Sequence, residues 1–111
     1  MTTVFGRIIE GTLPSKKLYE DEEFIVIEDI HPLARVHLLI IPKEPFPGLQ
    51  ALPQNKLHLV GKAVQLAQTM AEKHDIEESY RFLTNNGSEA GQTIFHLHFH
   101  LIGGEPLGSM A

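Results

Sequence analysis

Apolar and polar residues change their spacing several times along this chain, and each change marks an element. In "VFGRIIEG" (4–11) Phe5, Ile8 and Ile9 gather on one side, which predicts one or two helical turns stopped by Gly11. "KKLYE" (16–20) and "FIVIED" (24–29) predict two strands joined by a tight turn at Asp21 and Glu22. "VHLLIIP" (36–42), dense in β-branched and apolar residues, predicts a third strand ended by Pro42. From Pro53 to about Lys73 the period lengthens. Leu57, Val60, Val64, Ala67, Met70 and Ala71 recur at spacings of three and four, as on one face of an amphipathic helix with Pro53 in its first turn. Gly61 inside it marks an expected close packing against another backbone. "SYRFLTN" (79–85) predicts a fourth strand, "NGSEAGQ" (86–92) a loop and "TIFHLHFHLI" (93–102) a fifth strand. Strands joined by short turns, with one long helix between the third and fourth, indicate an α+β fold with a mainly antiparallel sheet of about five strands. The spacing alone does not give the strand order.

Composition narrows the field. The 111 residues suffice for one domain with its own core and are too few for two ordinary ones, so residues 1–111 read as a single domain. The formal charge of −5 argues against nonspecific binding to nucleic acid or to an anionic membrane, so a phosphate-bearing ligand must be held locally. There is no cysteine, which removes disulfides and thiolate metal sites and leaves the chemistry to histidine, hydroxyl and carboxylate. "MTTVFGRIIEGTLPSKK" lacks the charged leader and long apolar run of a targeting segment, and a cytoplasmic protein is expected.

The fifth predicted strand carries the chemistry. Alternation places His96, His98 and His100 on one face, with about 6 to 7 Å between neighbouring Cα atoms, and Leu97, Phe99 and Leu101 on the other. A single histidine there would read as part of a wet sheet face, but three in register point to a site. A metal centre is one reading, since imidazole is a common zinc and copper ligand. A straight row of rings, however, spreads along a line where metal ligands must converge, so no metal is expected. Nucleophilic catalysis at phosphorus suits a row better, with one imidazole attacking while its neighbours hold the phosphate and move protons. Crowded imidazoles also disfavour one another's protonation, which keeps a nucleophile neutral.

"HLHFHLI" matches the His-x-His-x-His-x-x pattern of the histidine triad (HIT) superfamily of nucleotide hydrolases and transferases. The likeness extends over "VFGRIIEGTLPSKKLYEDEEFIVIEDIHP", "VHLLIIPK" and "NNGSEAGQTIFHLHFHLIGG", and most resembles the Hint branch of purine nucleoside phosphoramidases. The resemblance implies that His98 attacks the α-phosphorus, His100 binds the phosphate, His96 orients the nucleophile and His37 joins the same network. It implies that the Thr93 hydroxyl helps the leaving group depart. Asn85 and the loop around Gly91 and Gln92 would support the phosphate, and Asp29 would bind both ribose hydroxyls. Val4, Phe5, Ile8, Ile27 and Ile30 match the apolar walls of the purine slot, although core packing would explain each equally well. His31, His58 and His74 read as structural or solvated.

The expected activity is hydrolysis of a purine nucleoside 5′-phosphoramidate or related nucleotidyl bond, without cofactor, through a covalent nucleotidyl-histidine. The alternatives are hydrolysis of a dinucleotide polyphosphate, or nucleotide binding or scaffolding with little catalysis. Galactose-phosphate nucleotidyltransferases of the superfamily carry Gln in the third place, so His100 favours hydrolysis over transfer. The resemblance also implies a homodimer with a sheet continuous across the interface. After "LIGG" the chain departs from many Hint proteins, with Glu105 and a short "PLGSMA" where they have a basic residue and a longer tail.

Overall fold

A computed structural model describes residues 3–110; positions 1, 2 and 111 of the predicted domain span lie outside the described residues. The first helix, α1 (Val4–Glu10), starts where the Thr3 hydroxyl accepts the Gly6 N–H at 3.2 Å. It stops at Gly11, whose φ of +86° costs a residue without Cβ little. Strands β1 (Lys17–Glu20) and β2 (Phe24–Glu28) are joined at the predicted place. There Asp21 Oδ1 accepts the N–H groups of Glu23 and Phe24 at 2.7 and 2.8 Å, so one side chain closes the turn. Lys62 ties this corner to the long helix through Asp21 Oδ2 at 2.7 Å and Glu23 Oε1 at 3.1 Å.

Strand β3 (Val36–Pro42) follows, then helix α2 (His58–Lys73), strand β4 (Tyr80–Leu83) and strand β5 (Phe99–Gly103). All neighbours pair antiparallel in the order β1-β2-β3-β5-β4, so the sheet is five-stranded and the fold is α+β as expected. The two helices cover opposite faces. Phe24, Val26, Leu38, Ile40, Phe99 and Leu101 pack with Leu59, Ala63, Leu66 and Met70 of α2. Ile25, Ile27, Leu39 and Ile41 pack with Phe5 and Ile8 of α1. Burial on both faces explains why β2 and β3 read as unbroken apolar runs rather than alternating ones. Because α1 has only seven residues, it covers part of its face and leaves a cleft beside it. No helix is long and apolar enough to cross a membrane among the described residues.

Five expectations need correction. The long helix begins at His58 rather than Pro53, which precedes a separate 3-10 turn over Gln54–Lys56. Its buried stripe is Leu59, Ala63, Leu66, Ala67, Met70 and Ala71, whereas Leu57 and Val64 stand 46% and 40% exposed. Two apolar stripes were available, and the sheet takes the one whose alanines permit close approach. Gly61 does not mark such an approach, since it is exposed and a Cβ there would meet nothing within 4 Å. The fourth strand covers only Tyr80–Leu83, and the fifth begins at Phe99 instead of Thr93.

This last correction reaches the site, because His96 and His98 precede the strand that holds His100. Other partners replace the ladder there. The Leu97 N–H donates to Phe46 O at 2.6 Å, and the Thr84 hydroxyl donates to His98 O at 2.6 Å. Alternation nevertheless survives, with Leu97 in the core under α2 and the histidines turned to the other side.

Candidate active site

The cleft beside α1 is a cavity of about 630 Å³, within the range of small-ligand sites. Its apolar side is built by Val4, Phe5 and Ile8 of α1 with Ile27, Ile30, Leu13 and Ile94. Its polar side gathers His37, His98, His100, Thr93, Asn85, Gly91 and Asp29. Thus the predicted residues of three distant segments meet at one place, while Gln92 and His96 stand behind the wall.

The proton positions follow from what each ring nitrogen touches, because an amide N–H can only donate and a carbonyl oxygen can only accept. His96 Nε2 lies 2.7 Å from Pro42 O and therefore carries its hydrogen there. His98 Nδ1 lies 2.7 Å from His96 O and is likewise protonated, so in the neutral ring Nε2 is left with a free lone pair. It is the carbonyl of His96, rather than its imidazole, that orients His98. The His96 ring instead anchors the segment to Pro42 and meets Phe5 edge-on at 6.2 Å between ring centres. Phe5 also meets His98 edge-on at 4.9 Å.

On the neighbouring strand the Leu33 N–H donates to His37 Nδ1 at 3.1 Å. The neutral His37 ring must then hold its hydrogen on Nε2, which faces His100 Nδ1 at 2.9 Å. His100 accepts at Nδ1 and presents its Nε2–H as a donor. Pairing of β3 with β5 makes this contact possible, for Leu39 sits opposite His100 and His37 is two residues from it.

Burial dominates the electrostatics. It pushes the pKa of His37, His96 and His98 below the usual imidazole value, against opposing contributions from Asp29 at His37, from Pro42 O at His96, and from His96 O and Asp29 at His98. His100 falls furthest, to about 4, by burial and then by the neighbouring rings of His98 and His37. All four rings are therefore neutral near pH 7.

The loop after β4 behaves differently from expectation. The N–H groups of Gly91 and Gln92 are bound to Ser88 O and Gly87 O, both at 3.1 Å, so they are not offered to an anion. Buried Gln92 is a brace, its Oε1 accepting from Gly87 N and its Nε2 donating to Pro47 O and Ile94 O. Thr93 lines the cavity, and its N–H and hydroxyl take no hydrogen-bond partner among the described residues. His31, read from the sequence as structural or solvated, lines the rim; its backbone N–H donates to Asp29 Oδ1 at 2.8 Å. Only its place two residues after Asp29 could have signalled this. His58 and His74 stay away from the site, beside Glu23 and Met70 O respectively.

Asp29, His37 and His100 bring one ligand atom each within 4.8 Å of one another, and could in principle hold a cation. The fit is poor, because the two ring nitrogens already face each other across a hydrogen bond that a metal would have to replace.

Comparison with known proteins agrees with this fold. The HIT domain model matches residues 10–107. An uncharacterized HIT-like protein of Chlamydia trachomatis is 51% identical over 111 residues, covering 100% of both chains. A HIT family hydrolase of Clostridium thermocellum superposes with a TM-score of 0.92 at 43% identity, covering 97% of this chain and 95% of that one. A histidine triad nucleotide-binding protein of Candida albicans gives a TM-score of 0.81 at 30% identity, over 99% and 87% of the two chains. With the family model matching the whole sheet, the long helix and the histidine segment, and leaving out only the chain ends and all but the last residue of the first helix, the chain belongs to the HIT domain family.

Proposed function

We propose that the protein hydrolyses a purine nucleoside 5′-phosphoramidate in two displacements at phosphorus. The observation that carries the reading is His98: its Nδ1–H is held by His96 O, which leaves the Nε2 lone pair free at the wall of a nucleotide-sized cavity. In the first step Nε2 bonds to the α-phosphorus and the P–N bond breaks. The departing amine takes a proton from solvent water, relayed by the Thr93 hydroxyl. His100 Nε2–H donates to a phosphoryl oxygen as charge builds there. In the second step water attacks the nucleotidyl-histidine and gives up a proton to solvent, the Nε2–P bond breaks with its electron pair returning to Nε2, and the nucleoside monophosphate leaves. Asp29 receives the ribose hydroxyls, and Phe5, Ile8, Ile27, Val4 and Ile30 flank the base.

The charges around the cavity support the phosphoramidate over a dinucleotide polyphosphate. Its lining includes the carboxylates Glu28 and Asp29 and, among the described residues, no Lys or Arg. Neutral donors suffice for one phosphoryl charge, whereas a polyphosphate chain would bring several charges with no cation to meet them. The names of the C. thermocellum and C. albicans relatives, a hydrolase and a nucleotide-binding protein, support the same class.

A homodimer joined along β4 belongs to the same reading. The other edge strand, β1, is bulged between Lys17 and Tyr19 and carries ion-paired Lys17 and Glu20, features that discourage pairing. β4 carries no such bulge. Light scattering should report two chains; a monomer at working concentration would remove this part.

Purified protein, with chelator present, should release AMP from adenosine 5′-phosphoramidate with kcat/KM well above that on a diadenosine polyphosphate. Binding of AMP without turnover of either substrate would favour a nucleotide-binding or scaffold role.

A further inference from the structure

Among the groups facing the cavity, one hydrogen lies near two atoms able to accept it. His37 Nδ1 is occupied by the Leu33 N–H, so the His37 hydrogen must sit on Nε2. That Nε2 lies 2.9 Å from His100 Nδ1 and also 3.4 Å from Asp29 Oδ2. Both acceptors are placed by other elements: Asp29 Oδ1 is fixed by the His31 N–H at 2.8 Å, and His100 by the β3 to β5 ladder. His37 itself is buried and cannot turn to serve them separately. The hydrogen bond goes to His100, while the carboxylate that faces the sugar stands close enough to draw on the same N–H by its charge.

We propose that Asp29 couples recognition of the sugar to the chemical step. A vicinal diol that donates to Asp29 satisfies its lone pairs and withdraws it from His37. The His37 Nε2–H then belongs to His100 Nδ1 alone, which holds the His100 hydrogen on Nε2, directed at the phosphoryl oxygen. Without the diol the carboxylate keeps part of its hold on His37, the His100 ring is less firmly fixed, and the phosphoryl oxygen loses part of its donor. Asp29 is thus a positioning residue for the reaction as well as a binding group, and the ligand class it selects is a ribonucleotide with both hydroxyls free. Sugar specificity accordingly lies in kcat rather than in KM alone. This inference rests on the phosphoramidase reading.

The test compares adenosine 5′-phosphoramidate with its 2′,3′-dideoxy counterpart. In the wild type the dideoxy substrate should show a kcat lower by roughly tenfold, the size expected for weakening one hydrogen bond in the transition state. In Asp29→Ala the competitor is gone, so KM for the ribonucleotide rises and the two kcat values come together. Equal kcat values in the wild type, with the whole sugar effect in KM, would overturn the coupling and leave the phosphoramidase reading intact. Imidazole ¹⁵N shifts provide a readout independent of turnover and of any variant. Saturating AMP should move His100 Nδ1 toward a fully accepting position, and saturating 2′,3′-dideoxy-AMP should not. Identical His37 and His100 shifts with both nucleotides would overturn the proposal even if no substrate were turned over.

Discussion

The imidazole of His98 is held by the residue two positions before it, its Nδ1 lying 2.7 Å from the carbonyl oxygen of His96. A nucleophile oriented by main chain is insensitive to rotation of neighbouring side chains, and its free nitrogen is settled by the backbone path. His98→Ala should therefore lower kcat/KM on a phosphoramidate by at least about 10³-fold, with the fold retained by circular dichroism. Activity within tenfold of wild type would exclude His98 as the nucleophile.

His96 acts on a different link of the chain. Its buried ring donates to Pro42 O and packs against Phe5, so His96→Ala removes a bond that ties the histidine segment to β3. We expect a stability loss of about 1 to 3 kcal/mol in urea unfolding, from the unsatisfied carbonyl and the space left behind. Because the His96 carbonyl persists, kcat should fall far less than in His98→Ala.

Acid should weaken both activity and fold. Burial first, and for His100 the neighbouring rings, lower these pKa values, His100 to about 4, so the acid limb of kcat/KM lies below the ordinary imidazole value of about 6.5. The stability effect has the same sign. Below pH about 6.5 the unfolded chain takes up protons that the folded rings do not, so stability falls as pH drops toward 4 and this contribution then levels off. Thermal unfolding at pH 7 and pH 5 checks it; a higher Tm at pH 5 would contradict it.

Far from the cleft, Asp21 binds two backbone N–H groups, the Tyr19 hydroxyl and Lys62. Burial works against its charge, but these donors outweigh it and hold the carboxyl well below the usual range. Asp21→Ala should cost about 1 to 3 kcal/mol near pH 7 in urea unfolding. Since a depressed carboxyl pKa stabilises only above the unfolded value, the difference should shrink as pH falls through the carboxylate range.

Much of this arrangement was legible beforehand, for reasons particular residues make clear. The first helix ended at Gly11 because a left-handed residue was needed there, and "FIVIED" and "VHLLIIP" were strands because both their faces are buried. The convergence of Asp29, His37, Thr93 and His100 was expected from the family pattern, and the β3 to β5 pairing supplies its physical basis. The fifth strand was over-extended because alternation persists through His96 and Leu97 after the ladder has stopped, and spacing does not report which partner a backbone N–H finds. Gln92 was not legible as a brace, nor His31 as a residue of the cavity lining, for a related reason. A long side chain in a loop can turn inward as a brace, and a short loop can carry a residue to a rim, without any periodic trace.

The misjudged glycine also yields a measurable outcome. Gly61 is exposed in the middle of α2 with open space where a Cβ would stand, so Gly61→Ala should raise stability by about 0.5 to 1 kcal/mol with activity unchanged. Destabilisation in urea would mean that this face is covered by something the single chain does not show.

Passage of the nucleotide through a bond to His98, as proposed, can be followed by rapid quenching of a single turnover on adenosine 5′-phosphoramidate, with mass analysis of the protein's peptides under conditions that preserve phosphorus–nitrogen bonds. A transient adenylyl group on His98 should form as the amine is released and be lost as AMP appears. Amine and AMP released together at every time, with no adenylylated peptide or with the adduct on another residue, would contradict it.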